Sequence, residues 1–522
     1  MNAKDRSQKR PGFSSALAPD APQQRSRTLM SDVLGVEAGD RIRVIDAVER
    51  GFETTAVGRL ATTFEIAEGD VLEAVDISRS TVSRRKKRQE RLTTSESDRL
   101  YRVVRLLGRA VEVLGTESDA RQWMRTSKRA LGGVSPLVMA RTDAGAQEGT
   151  LAAFRYWLQD FRMRAARQGI SQRVMDDAFT GLSFDPEVIR RDRNQAEFTK
   201  TIWDYLSTAV SDMRIANGRA ALARYRSLLE RIEARYGVDH QVVVAIWGLE
   251  SAFGAFKGND GTIRSLATLA FDSRRSAFFE EQLIAALRIL QAGDVRATDM
   301  AGSWAGAMGH TQFMPTSFLQ YAVDFNGDGK RDIWGDDPAD ALASTAAYLK
   351  SFGWTAGQPW GLEVQLPAGF DFGLADRKIR KSPADWAALG VRGINGRPVP
   401  DHGPGSILLP AGAGGAAFMI FDNFEVLERY NSADAYVIGV GHLSDRLLGR
   451  LAITGGWPQG DRALTFDERI ELQTRLTRAG FDTRKIDGKI GPLTIGAVRA
   501  WQKASGEVPD GYASLRLLEK LR

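Results

Sequence analysis

The stretch Val242-Val-Val-Ala-Ile-Trp-Gly-Leu-Glu250-Ser-Ala-Phe-Gly254 decides the reading of this chain. It predicts a short helix. Asp239 is placed to cap its start, Val243 and Ile246 share one face, and Gly254 is placed to end it. Continuing that spacing puts Glu250 on the same apolar face, near the helix C-terminus. A carboxyl group there loses hydration and feels the negative end of the helix dipole, and both effects favour its neutral form. A general acid needs that form at neutral pH. The alternative is a buried glutamate paired with an arginine, the usual state of buried acids. Spacing alone does not separate the two.

A companion stretch lies downstream, Gly302-Ser-Trp-Ala-Gly-Ala-Met-Gly-His-Thr-Gln312-Phe-Met-Pro315. Its small residues Gly302, Ala305, Gly306, Ala307 and Gly309 would let a backbone approach a bulky ligand closely. Tight helix packing accounts for the glycines equally well, but accounts poorly for Gln312. Together the two stretches resemble the active-site segments of the lytic murein transglycosylase B family, and the resemblance runs over about 152–451. It implies a lysozyme-like α+β catalytic domain, set at 149–454. It also implies cleavage of the β-1,4 bond between N-acetylmuramic acid and N-acetylglucosamine in peptidoglycan, leaving 1,6-anhydromuramic ends, which makes the enzyme a carbon–oxygen lyase with no catalytic cofactor.

The same resemblance implies residue roles. Glu250 is the single catalytic acid and base. Ser303 and Gln312 hold the N-acetyl groups and position Glu250, and Arg274 and Arg275 line the glycan cleft. Tyr430 and Tyr436 sit at the scissile sugar. Arginines suit lactyl and peptide carboxylates through charge-assisted hydrogen bonds, and tyrosine offers a stacking face with a hydroxyl donor. Read without the family, Arg274 and Arg275 are a surface pair at a helix start, and the tyrosines are ordinary core residues. Most glycosidases use two carboxylates, and with 65 acidic residues the sequence does not show that a second one is missing.

Asp324-Phe-Asn326-Gly-Asp328-Gly-Lys330 places oxygen ligands at positions 1, 3 and 5, a glycine at 6 and a carbonyl at 7, the opening of a calcium loop. Position 12 is Gly335 rather than glutamate. The family's variant loop closes on a later aspartate, aligned here with Asp340, so the resemblance implies a structural calcium ion. An Asp/Gly turn without metal is the alternative. Segment 355–415 reads as an α+β insert. After a linker at 455–465, Leu472-Gln473, Asp487-Gly-Lys-Ile-Gly491-Pro-Leu-Thr494 and Trp501-Gln502 resemble the three-helix peptidoglycan-binding domain, over 466–522.

The N-terminal third differs in kind. Residues 1–29, rich in Ser, Gln, Pro and basic side chains, are expected to be a disordered leader. Val71–Val75, the polar Asp76–Ser80 and Thr81-Val-Ser-Arg84-Arg-Lys-Lys-Arg88 read as a helix-turn-helix with five basic residues. Such a run is also what a solvated face looks like. With Arg91–Val113 and Ala130–Gly145, this region is similar to the Xre/MbcA/ParS-type antitoxins, which implies a helical region at 30–148 binding DNA or a partner toxin. In that family a final helix follows, whereas here the transglycosylase pattern begins at about Gly149. Glu197–Tyr205 also resembles the transglycosylases and is given no catalytic role.

The expected fold class is therefore a mainly α multidomain chain. A length of 522 residues sets two to four domains. The absence of cysteine excludes disulfides, thiolate catalysis and Cys-ligated zinc. A net charge of +6 suits an anionic partner, either nucleic acid or cell wall. No apolar run is long enough for a transmembrane helix, and Met1–Arg27 shows no signal-peptide apolar region. The family implies the periplasm or cell envelope, and the N-terminus makes the cytoplasm the alternative. A rival reading follows from that: a cytoplasmic antitoxin-like DNA- or toxin-binding protein with an idle transglycosylase part.

Overall fold

The computed structural model describes residues 21–37, 41–127, 135–140, 143–193, 200–273, 275–458 and 460–522. The chain is mainly helical, as expected. It divides into two compact units, one formed by 1–175, 180–185 and 267–280, the other by 176–179, 186–266 and 281–522.

In the first unit the leader expected to be structureless to residue 29 is helical from Ala21, as helix Ala21–Leu34. Its apolar residues Leu29 and Val33 are buried. The helix crosses helix Thr94–Leu114 so closely that a Cβ at Gly108 would meet Met30 Sδ at 2.7 Å and Ser26 Oγ at 2.9 Å. Tertiary packing thus overrides a composition that reads as disorder. The expected helix-turn-helix is present as Glu68–Ala74 and Arg79–Arg88, with Ser78 capping the second helix by accepting from Thr81 N at 3.1 Å. Phe52, Leu60, Phe64, Val71, Leu100 and Val104 form its core.

Of the five basic residues expected on that second helix, Arg85 turns inward. It pairs with Glu96 at 2.9 Å, the glutamate of the Thr93 capping box that starts Thr94–Leu114. Arg84, Lys86, Lys87 and Arg88 remain exposed. The expected junction at 148/149 falls inside one unbroken helix, Asp143–Arg167. Phe154, Trp157 and Phe161 on it are buried, stacked at centroid distances of 5.8 and 5.3 Å, with Phe271 edge-on to Phe154 at 5.5 Å.

The second unit is built around helix His240–Ser251, which packs against Asp434–Leu447. Helices Asp212–Arg224 and Ala339–Ser351 also pack on the former, and Ile202–Ala209 on the latter. The insert holds a four-stranded antiparallel sheet in the order Arg392–Gly393, Gly361–Gln365, Ala417–Ile420, Ser406–Leu408. Trp386 is fully buried beneath it and donates to Gly405 O at 2.9 Å. The C-terminal domain has three helices, Phe466–Arg478, Pro492–Ala504 and Leu515–Leu521. The motif residue Gln473 is its buried hub: the amide accepts from Asp487 N and Gly488 N and donates to Thr494 Oγ1 and Lys489 O.

Candidate active site

Helix His240–Ser251 buries Val243, Ile246 and Trp247 and carries Glu250 one residue before its end. Asp239 occupies the N-cap position without capping. Its carboxylate instead accepts from Trp354 Nε1 at 2.8 Å and Gly357 N at 3.2 Å. Gly254 does not terminate the helix either. Ala252 does, at φ 49, and Phe253 continues in the left-handed region at φ 61. Two non-glycine residues in that conformation in succession are costly and persist only when packing holds them. Here the Phe253 ring folds back edge-on to Trp247 at 5.9 Å.

The companion strip is locked to the end of this helix. Ser251 Oγ donates to His310 O at 2.5 Å. Trp247 Nε1 donates to His310 Nδ1 at 3.1 Å, while His310 Nε2 bonds Gly335 O at 2.8 Å. That pattern fits a neutral imidazole, and burial lowers the His310 pKa in keeping with it. The glycines of the strip serve packing rather than ligand approach: a Cβ at Gly302 would lie 2.2 Å from Ala307 O, and one at Gly309 2.2 Å from Ile333 O.

Glu250 is half-buried, and burial pushes its carboxyl up to about 7. One hydrogen bond opposes this, from Tyr436 OH to Glu250 Oε1 at 2.5 Å. Among the described residues no neighbouring carboxylate contributes to the shift, which favours one acid over a pair. Three phenols feel the Glu250 charge: Tyr436, Tyr430 and Tyr205. Burial raises the first two well above the ordinary tyrosine range and Tyr205 to about 12. All three are therefore neutral donors at physiological pH.

The expected site residues are distributed as follows. Tyr436 touches the carboxyl itself. Tyr430 OH donates to Thr311 O at 2.5 Å, beside Gln312. Gln312, at φ 53, donates through Nε2 to Lys257 O at 3.0 Å and Gly309 O at 2.8 Å, and Ser303 Oγ accepts from Ala307 N at 3.1 Å. The direct hydrogen-bond partner of Glu250 is thus Tyr436, and Gln312 and Ser303 brace the strip. Arg274 lies outside the described residues, as does Glu197. Arg275 belongs to the first unit, where its guanidinium covers Phe279 at 5.1 Å. The sequence reading gave no place at the site to Tyr205, which feels the Glu250 charge, or to Ser251 and His310, which join the helix end to the strip. Tyr205 had a signal, lying in a segment that resembles the family, but its helical spacing with Ile202 reads as core.

In the loop expected to bind calcium, Asp324 accepts from Gly327 N at 2.7 Å and Gly329 N at 2.9 Å. Asn326 accepts from Asp328 N, and Asp328 from Lys330 N. Asp340 accepts from Phe325 N at 2.8 Å and Asp332 N at 2.9 Å. The side chains are turned to their own amides, and among the described residues no three acidic or histidine groups are gathered as for a metal. Asp340 Oδ1 accepts from Asn326 N as well, so it has no lone pair to spare, whereas the Asp324 oxygens each accept one amide and keep a second lone pair. The oxygen donors are of the chemical type calcium takes.

A half-buried carboxyl at a helix end, held near neutrality and facing neutral phenols, is an arrangement suited to general-acid chemistry. Comparison with known proteins gives the particular kind. Residues 153–445 match the Transglycosylase SLT domain family, and the chain belongs to it. Residues 43–105 match the antitoxin Xre-like helix-turn-helix domain, 109–150 the antitoxin Xre/MbcA/ParS C-terminal toxin-binding domain, and 467–521 a peptidoglycan binding domain.

Among solved structures, SltB3 from Pseudomonas aeruginosa, determined with NAG-anhNAM-pentapeptide and with NAG-NAM-pentapeptide, is 51% identical. It aligns with a TM-score of 0.69 over 71% of this chain and 99% of that one. Membrane-bound lytic murein transglycosylase B of Escherichia coli (strain K12) is 33% identical over 46% of this chain, which spans 65% of that relative's length. Antitoxin Xre of Yersinia enterocolitica is 29% identical over 24% of this chain and 86% of its own length.

Proposed function

We propose that the chain is a peptidoglycan lytic transglycosylase with Glu250 as its one acid–base group. The observation that carries this is the Glu250 carboxyl, lifted to about 7 by burial and bonded to a neutral phenol rather than to an arginine. In the neutral form it gives its proton to the glycosidic oxygen as the bond from muramic C1 to that oxygen breaks. The 2-acetamido carbonyl of the same sugar stabilises the positive charge at C1. Glu250, now ionised, takes the proton of the muramic 6-hydroxyl as O6 bonds to C1. Atoms balance without water, and the acid is regenerated. Tyr436 holds one carboxyl oxygen, and Ser303, Gln312 and Tyr430 bind the glycan. SltB3 was solved with muropeptides of this chemical class, which supports peptidoglycan as the substrate and the cell envelope as the place of action. Among the described residues no helix is long and apolar enough to cross a membrane.

Calcium at Asp324, Asn326, Asp328, the Lys330 carbonyl and Asp340 would be structural. The decisive experiment compares the full chain with Glu250→Gln on isolated sacculi. The parent is expected to release anhydromuropeptides and the variant, folded, to release none. Activity of the variant within a few-fold of the parent removes the assignment.

A second reading applies to the first unit. The exposed Arg84, Lys86, Lys87 and Arg88 on the second helix of the helix-turn-helix suit DNA phosphates. A partner toxin is less favoured, because the helix that starts within the toxin-binding match and runs on beyond it packs into the unit's own aromatic core.

A further inference from the structure

We infer that Arg377, on the loop between the turn Phe372–Leu374 and helix Pro383–Ala388, is a positioning residue for the reaction: it clamps together the two helices that carry Tyr430 and Tyr436. This rests on the single-acid reading above. Its guanidinium bridges Glu428 and Asp434 and lies over the Phe424 ring at 5.1 Å. Glu428 stands two residues before Tyr430 at the end of helix Asp422–Tyr430, and Asp434 two residues before Tyr436 at the start of Asp434–Leu447. Only residues 431–433 join the two helices. A planar guanidinium serving two carboxylates on opposite sides of that break fixes their separation, as lysine's single ammonium does not.

The loop is itself held from both sides. Ala375 is buried in the core of the insert, and Arg499, on helix Pro492–Ala504 of the C-terminal domain, donates to Ala375 O and pairs with Asp376 at 3.8 Å. Arg377 is therefore a staple set in a braced loop rather than a free surface cation.

The consequence falls on Glu250. Its charge is felt by Tyr436 from Asp434–Leu447, Tyr430 from Asp422–Tyr430 and Tyr205 from Ile202–Ala209, with Arg214 beyond Tyr205. Tyr436 bonds the carboxyl directly and favours the ionised form. Releasing the clamp loosens this bond, so the alkaline limb of the kcat profile moves to higher pH and kcat falls.

The test measures kcat, KM and the kcat–pH profile on a soluble muropeptide for the full chain, Arg377→Met, Tyr436→Phe, the double variant and the volume-conserving Asp434→Asn, with melting curves to confirm folding. The expected result is a loss in kcat of at least tenfold for Arg377→Met, with KM changed less than threefold. Its alkaline limb shifts in the same direction as in Tyr436→Phe, and the double variant is little worse than Tyr436→Phe alone. Asp434→Asn should show a smaller loss with the same limb shift. Parental kcat and pH profile in Arg377→Met, or losses that add fully in the double variant, overturn the inference. An inactive parent, or an active Glu250→Gln run alongside, removes the single-acid reading instead. An active parent with a dead Glu250→Gln and an unchanged Arg377→Met removes only the clamp.

Discussion

Replacing Tyr436 by Phe deletes one hydroxyl and leaves a ring of nearly the same volume in a buried position. The hydroxyl lies 2.5 Å from Glu250 Oε1, and a hydrogen bond to an ionised group contributes about 1.5–3 kcal/mol. At 1.36 kcal/mol per pH unit, its loss moves the Glu250 pKa from about 7 upward by roughly one to two units. The direction follows from the bond's preference for the carboxylate, which currently opposes burial. The alkaline limb of kcat, where Glu250 ceases to be a proton donor, should move upward by the same amount, while the acid limb reports the later base step. The assay is a kcat–pH profile between pH 5 and 10 on a soluble muropeptide, with product separation at each point. A limb that stays in place, or moves to lower pH, refutes the account of how Glu250 is tuned.

Glu250→Gln should be inactive and yet more stable at high pH. The carboxyl is lifted from its ordinary 4.5 to about 7, so the folded state holds a proton that the unfolded state has lost between those values. Parental stability therefore falls by about 3 kcal/mol as pH rises through that window, and denaturant titration at pH 4 and pH 8 should find the loss absent in the variant. Gly248→Ala would place a Cβ 2.6 Å from the Phe253 ring, which is fixed by its left-handed backbone. Overpacking of about 1–3 kcal/mol outweighs the helix gain of about 1 kcal/mol, and urea unfolding should show the deficit. Calcium should raise the melting temperature of the full chain and magnesium should not, with Asp324→Asn abolishing the effect; no shift with calcium removes the metal. Binding of duplex DNA, followed by anisotropy, should weaken with salt and fall when Lys86 and Lys87 become Glu.

Glu250 was singled out by resemblance: its helical spacing put one acid on an apolar face, but the same spacing suits a buried glutamate paired with an arginine, and only the fold shows the carboxyl raised by burial and bonded to a phenol. The peptidoglycan-binding domain was also legible by resemblance, and the fold shows why its motif is spaced so regularly: Gln473 and the Asp487–Thr494 turn are bonded to one another. What was not legible depended on contacts distant in the chain. Nothing near Asp239 announces that Trp354 will take its carboxylate, and local capping rules predicted otherwise. The leader helix at Ala21–Leu34 draws its stability from Gly108 and its neighbours, some eighty residues away. Tyr436 could be placed at the sugar by resemblance, but its bond to Glu250 spans 186 positions. Arg377 had no signal at all, since neither of its acidic partners is close in sequence.

The central claim is that one carboxyl opens the glycosidic bond without water. It is tested by digesting sacculi with the full chain in water enriched in heavy oxygen and weighing the products. The account predicts 1,6-anhydromuramic ends, lighter by one water than hydrolysis products and free of the label, and none from Glu250→Gln. Reducing muramic ends carrying the label would contradict it.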